Sequence, residues 1–194
     1  AATARVLGSL GIQAIELESE VCCGALSFHL NDQQEGLKFA QHNIDLLCDH
    51  LDQGVEAIIS TASGCGNFIK DYGKLLDSSE KSKRVVAHCK DISEILNAED
   101  LSVLKPKRTA KLAFHCPCSL QHGQKSSGIV EAILLELGFK LSKVSNQHIC
   151  CGSAGTYSIL QAKISRQLQS DKIKALEADN PDAIATANIG CQNH

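Results

Sequence analysis

The chain of 194 residues contains no methionine, only three prolines, and aromatic residues at 4%. Without a methionine it carries no initiator residue, and it opens inside what reads as a helix, Ala1 to Leu10. We therefore expect it to be a piece of a longer protein, with sequence missing at both ends. No apolar run approaches the ~18 residues that a membrane-spanning helix needs, and the first ten residues hold one Arg and no cleavage pattern, which excludes a signal peptide there. Positive charge is scarce as well. The formal net charge is −3, no basic stripe stands out, and a nucleic-acid partner is not expected. Lys105, Lys107, Arg108 and Lys111 form the one basic cluster, around Pro106, and read as a solvated linker. There is no dinucleotide-binding fingerprint, and no Ser-His-Asp arrangement can be read from spacing.

Cysteine is abundant instead, with ten residues. In a short secreted domain such a number would signal a disulfide framework. Here the cysteines lie among long helical periodicities in a chain without export signals, which favours metal or redox chemistry in a reducing, cytoplasmic setting. The hydrophobic share of 43% and charged share of 21% are those of an ordinary globular protein with a real core.

Two segments share one layout. The first runs Leu10-Gly11-Ile12, Val21-Cys22-Cys23-Gly24-Ala25 and Ser60-Thr61-Ala62-Ser63-Gly64-Cys65. The second runs Leu137-Gly138-Phe139, Ile149-Cys150-Cys151-Gly152-Ser153 and Thr186-Ala187-Asn188-Ile189-Gly190-Cys191. Cys23 and Cys65 are 42 positions apart, Cys151 and Cys191 are 40. With this composition one Cys-Cys-Gly triplet arises by chance about 0.04 times, so two at matched spacing mark a duplication.

Leu37, Ala40, Ile44, Leu47 and Leu51 follow an amphipathic rhythm, with Asn31 or Asp32 as cap. Tyr157, Leu160, Ile164 and Leu168 predict the matching helix, and Ile129, Val130, Ile133, Leu134 and Leu137 a third. Strands are expected at Ile12 to Leu17, Glu56 to Ser60, Lys111 to His115, Lys140 to Val144 and Ala183 to Thr186. Alternating strands and helices imply βαβ crossovers and parallel sheets. The expected fold is α/β, two pseudo-equivalent lobes of parallel sheet flanked by helices: residues 1–104 hold the first repeat with the linker, residues 105–194 the second.

Adjacent cysteines rarely close a disulfide, but two neighbouring thiolates suit a multi-iron cluster. Cys22 and Cys23 with Cys65 form one candidate ligand set, because parallel strands place their ends on one edge where distant residues converge. Cys150, Cys151 and Cys191 form the other, with Cys118 upstream in His115-Cys116-Pro117-Cys118. Cys116 is divided between core packing and ligation, Cys48 and Cys89 read as buried hydrophobes, and His29, His115, His122 and His148 read as hydrogen-bonding neighbours. His194 has ligand spacing from Cys191 and is a further candidate ligand.

The pattern of spaced Cys, Cys-Cys-Gly and Cys resembles the cysteine-rich CCG domains of heterodisulfide reductase. More narrowly, Cys22-Cys23-Gly24-Ala25-Leu26 with His29, Thr61 to Gly66, Pro117 to Gln124, Cys150 to Tyr157 and Ala187 to Cys191 are similar to the glycolate oxidase iron–sulfur subunit family. The resemblance covers essentially the whole chain. It implies an electron-transfer subunit with iron–sulfur clusters of the 4Fe-4S kind, serving flavin-containing glycolate oxidase subunits that carry FAD, peripheral to the inner membrane through the complex. It also implies an upstream ferredoxin-like region, absent from this sequence. Heterodisulfide reductase-type repeats end in C-x-x-C; here Phe68 and His194 stand three residues past Cys65 and Cys191. Two other functions are carried as alternatives, a thiol/disulfide redox subunit and a structural zinc domain, for which Cys118, Cys150, Cys151 and Cys191 would make a four-thiolate set.

Overall fold

The computed structural model describes residues 2–194, which pack as two compact units. One comprises Gln13–Ile92; the other joins the segment through Ile12 to Ser93–His194.

In the Gln13–Ile92 unit the long helix α3 (Gln33–Asp52) is preceded in the chain by α1 (Ala2–Ser9), which belongs to the other unit, and by the short α2 (Ala25–His29). Helix α3 starts where expected: the Asp32 carboxylate accepts the Glu35 N–H at 3.2 Å, satisfying one of the amides that a helix N-terminus leaves open. Ala40, Ile44, Leu47, Cys48 and Leu51 form its buried face. They pack with Phe68 from α4 (Ser63–Lys70), Tyr72 from α5 (Tyr72–Leu75) and Val85 from α6 (Glu80–His88). Between α3 and α4 lies β1 (Ile58–Ser60), which pairs in parallel with β2 (Cys89–Asp91).

The other unit carries α7 (Ile92–Leu96), which straddles the boundary, then β3 (Lys111–His115), α8 (Ile129–Glu136), β4 (Lys140–Leu141), α9 (Tyr157–Leu160), α10 (Ala162–Glu177), β5 (Ala183–Thr186) and α11 (Ile189–Gln192). Its three strands are parallel in the order β4-β3-β5, with Phe114 opposite Ala185 and His115 opposite Thr186. The chain leaves β3 toward β4 on one side and returns as β5 on the other. The carboxyl end of β3 is thus a point where strand order reverses, the place where open parallel sheets form crevices. Phe114, Cys116 and Leu120 are buried there with Val130, Leu134, Ala185 and Ala187 packed around them.

The α/β architecture of two small parallel sheets flanked by helices agrees with the reading of a duplicated unit. Individual elements differ. No strand forms at residues 12–17, where Ile15 is 57% exposed and no ladder partner stands alongside. Strand β1 begins two residues later than expected and β4 is two residues long. The segment Tyr157–Leu168 is broken at Gln161, and its apolar stripe faces water: Leu160 is 73% and Ile164 52% exposed. Helix α10 buries Ser165, Lys172 and Leu176 instead. Ala1, the first residue of the expected opening helix, lies outside the described residues.

Candidate metal centre

Each Cys-Cys-Gly lies in an irregular segment ahead of a helix, and its glycine is held in the left-handed region, Gly24 at φ +90° and Gly152 at φ +96°. The reason is a close approach. A Cβ on Gly24 would stand 2.4 Å from the carbonyl oxygen of Gly36 in α3, and one on Gly152 would stand 2.4 Å from that of Ser165 in α10. Any side chain there would collide with helix backbone in an already unfavourable conformation. The tight turn also aims each glycine amide at sulfur: Gly24 N–H donates to Cys22 Sγ at 3.5 Å, and Gly152 N–H to Cys150 Sγ at 3.3 Å.

The two helices grip their turns at equivalent positions with different side chains. Seven residues beyond Gly36, on the same face of α3, the buried Asn43 donates from Nδ2 to the Cys22 carbonyl at 3.1 Å and accepts the Val21 N–H at 3.3 Å. Seven residues beyond Ser165, the buried Lys172 donates from Nζ to the carbonyls of Asn146 and Gln147 at 3.1 and 3.2 Å. Burial pushes the Lys172 amine below its ordinary value, while Cys151, Cys150 and Cys191 pull it back up. Tyr72, fully buried, donates its hydroxyl to the Cys23 carbonyl at 2.7 Å. Asn43, Tyr72, Ser165 and Lys172 bond the carbonyls of the two cysteine turns, and the sequence reading did not single them out. Their spacing from each Cys-Cys-Gly was the available signal.

The thiols gather in pairs. Cys65, at the start of α4 just past β1, accepts a hydrogen bond from Cys23, which lowers Cys65 to about 7 and raises Cys23. Cys191, in α11 just past β5, donates to Cys151; Cys191 is raised, and Cys151 is held well below the thiol range by that bond and by His115. In each pair the hydrogen bond favours the proton on one sulfur and the thiolate on the other. Burial raises Cys150, and the charge of the exposed Cys118 adds to the rise in both Cys150 and Cys191. Cys22 is exposed beside Cys23.

At the second pair a third donor joins. One ring nitrogen of His115 and the Sγ atoms of Cys151 and Cys191 all lie within 4.8 Å of one another, the one such three-donor group among the described residues. His115 Nε2 is buried and has no hydrogen-bond partner. The other candidates sit elsewhere. His194 Nε2 meets Ser165 Oγ at 3.1 Å; because the single Ser165 hydroxyl proton goes to the Gly152 carbonyl at 2.9 Å, Nε2 is the donor in that contact. His29, His122 and His148 are exposed, whereas Cys48, Cys89 and Cys116 are buried. Half-buried thiolates, amides aimed at sulfur and an unpartnered imidazole nitrogen form a soft donor set that fits thiolate-bound iron.

The cysteine-rich domain family, CCG, matches residues 1–70 and 112–194. The chain belongs to the CCG cysteine-rich domain family. Both thiol pairs fall within the matched segments. Among its relatives, the glycolate oxidase iron-sulfur subunit of Escherichia coli (strain K12) is 48% identical over 198 residues, covering 100% of this chain and 49% of the relative. The probable glycolate oxidase iron-sulfur subunit of Bacillus subtilis (strain 168) is 30% identical over 98% of the chain and 44% of the relative. Lactate utilization protein A of Halalkalibacterium halodurans is 26% identical over 97% of the chain and 78% of the relative. The chain spans about half the length of the two glycolate oxidase relatives it matches.

Proposed function

We propose that this chain is the iron–sulfur electron-transfer part of a flavin-dependent 2-hydroxy-acid dehydrogenase acting on glycolate. Cys22, Cys23 and Cys65 hold one cluster of the 4Fe-4S kind; Cys118, Cys150, Cys151 and Cys191 hold another. The observation that carries this reading is the repetition: in each unit a Cys-Cys-Gly turn is locked onto a helix and shares a proton with a cysteine just past a parallel strand. The names of the relatives support the substrate class. When bound, such a cluster takes up and returns one electron at a time.

The chain's own residues supply thiolates, fix their positions through Asn43, Tyr72, Ser165 and Lys172, and shield part of the donor set from water. Removing hydride from a 2-hydroxy acid delivers two electrons, so that step falls to FAD on a partner subunit. No helix among the described residues is long and apolar enough to cross a membrane, and any membrane attachment belongs to the complex.

The test is anaerobic reconstitution with iron and sulfide, followed by iron, acid-labile sulfide and zinc analysis. A brown protein is expected. Cys118→Ser, Cys150→Ser, Cys151→Ser and Cys191→Ser should each lower iron by about one cluster's share, and Cys48→Ala should leave it unchanged. A colourless protein that takes up stoichiometric zinc would overturn the reading in favour of a structural zinc domain.

A further inference from the structure

Resting on the cluster reading above, we propose that the buried Lys172 ammonium is a fixed positive charge that sets the second cluster at a higher reduction potential than the first, so that the second cluster is reduced first.

Burial is the first argument. Lys172 is 4% exposed, on a face of α10 that also buries Ser165 and Leu176. Lysine is seldom placed inside a protein unless its charge is paired, because an uncompensated ammonium there is costly. Its hydrogen bonds go to two neutral groups, the carbonyls of Asn146 and Gln147 at 3.1 and 3.2 Å, in the turn that leads into Cys150. No carboxylate among the described residues forms an ion pair with it. The negative charges that favour its ammonium form are those of Cys151, Cys150 and Cys191. The anionic counterpart of this cation is therefore the thiolate set of the second site.

The second argument comes from comparing the two units. Gly24 meets the Gly36 carbonyl of α3, and Gly152 meets the Ser165 carbonyl of α10. Seven residues on from each contact stand Asn43 and Lys172. Asn43 is buried as well, and its Nδ2 reaches the Cys22 carbonyl at 3.1 Å. A neutral amide thus suffices to hold a cysteine turn, and the charge on Lys172 is more than that task requires. Its effect falls on the cluster instead. Reduction adds one electron to a cluster, with no bond made or broken and the Lys172 proton staying on Nζ. A nearby cation stabilises the more negative, reduced form, and its field is screened less in a protein interior than in water. Net charge and solvent exposure are among the properties that set the potential of an iron–sulfur cluster. The first site has an uncharged side chain at the equivalent position.

The experiment is an anaerobic redox titration of the reconstituted chain followed by electron paramagnetic resonance, each signal being assigned by its loss in Cys65→Ser or Cys151→Ser. In the wild type, the signal lost in Cys151→Ser should appear at the higher potential. Lys172→Gln, which keeps a donor for the carbonyls, should shift that midpoint downward and leave the other in place, and Lys172→Arg should restore it. A lysine with a structural role alone would change iron content or thermal stability without this charge-dependent shift. An unmoved second midpoint in Lys172→Gln at full iron, or a wild type in which the first cluster is reduced first, would overturn the proposal while leaving the cluster reading intact. Should Lys172→Gln fail to hold the second cluster, the wild-type order of reduction decides by itself. Failure of the chain to hold iron and sulfide in either unit would sink the cluster reading and this proposal together.

Discussion

The glycines of the two Cys-Cys-Gly turns show how a single residue can be dictated from two directions. Their positive φ disfavours any side chain, and their hydrogen atoms face helix carbonyls at a distance no Cβ tolerates. Gly24→Ala and Gly152→Ala should each destabilise the chain by at least about 2 kcal/mol, combining backbone strain of roughly 1–3 kcal/mol with overpacking of similar size. Gly54→Ala, also at positive φ but with open space around its Cβ position, carries only the strain. Urea midpoints of the three variants separate the two contributions; equal losses at all three would show that the helix approach contributes nothing.

At the scale of elements, sequence rhythm succeeded where the apolar stripe meets a core and failed where it does not. The stripe of α3 was legible because Ala40, Ile44, Leu47 and Leu51 all face one cluster. The stripe of Leu160 and Ile164 was equally regular, yet α10 turns Ser165 and Lys172 inward because those side chains bond the carbonyls around the second cysteine turn. Strand β2 was not anticipated, since Cys89-Lys90-Asp91 reads as polar, although Asp91 is 2% exposed.

The entry of β3 is pinned electrostatically. The Lys111 ammonium pairs with Asp179 at 2.9 Å, and the same carboxyl accepts the Lys143 N–H at 3.3 Å. These bonds hold Asp179 below its ordinary carboxylate value, the Lys111 contact being the larger. With the folded value depressed, the unfolded chain binds more protons in acid. The stabilisation is therefore complete above the unfolded carboxylate range and disappears as pH falls through the folded value. The difference in urea midpoint between the wild type and Asp179→Asn should be full near neutrality and vanish in acid. A difference that survives at the acid end would mean the carboxylate charge is not its source.

For the molecule as a whole, each thiol set lies within one compact unit: Cys22, Cys23 and Cys65 in one, Cys118, Cys150, Cys151 and Cys191 in the other. Metal binding should stabilise the unit that contains it. Cys65→Ser and Cys151→Ser should lower iron content and thermal stability additively, because the sites share no ligand. A loss of both clusters from either single variant would show instead that the two sites assemble as one cooperative structure.

What the sequence determined by itself was the duplication, the α/β alternation and the candidate sulfur donors. Those follow from local facts: the rarity of Cys-Cys-Gly, the period of a buried helix face, and the preference of neighbouring thiolates for metal. Tertiary structure alone decided which donors meet. His115 and His194 flank the second cysteine set in sequence on equal terms, yet strand pairing brings His115 against Cys151 and Cys191, while a serine proton already committed to Gly152 turns His194 into a hydrogen-bond donor. The same holds for Asn43 and Lys172, whose roles depend on a helix face meeting a turn about twenty residues upstream. Such proximity is set by packing and register rather than by local residue preference.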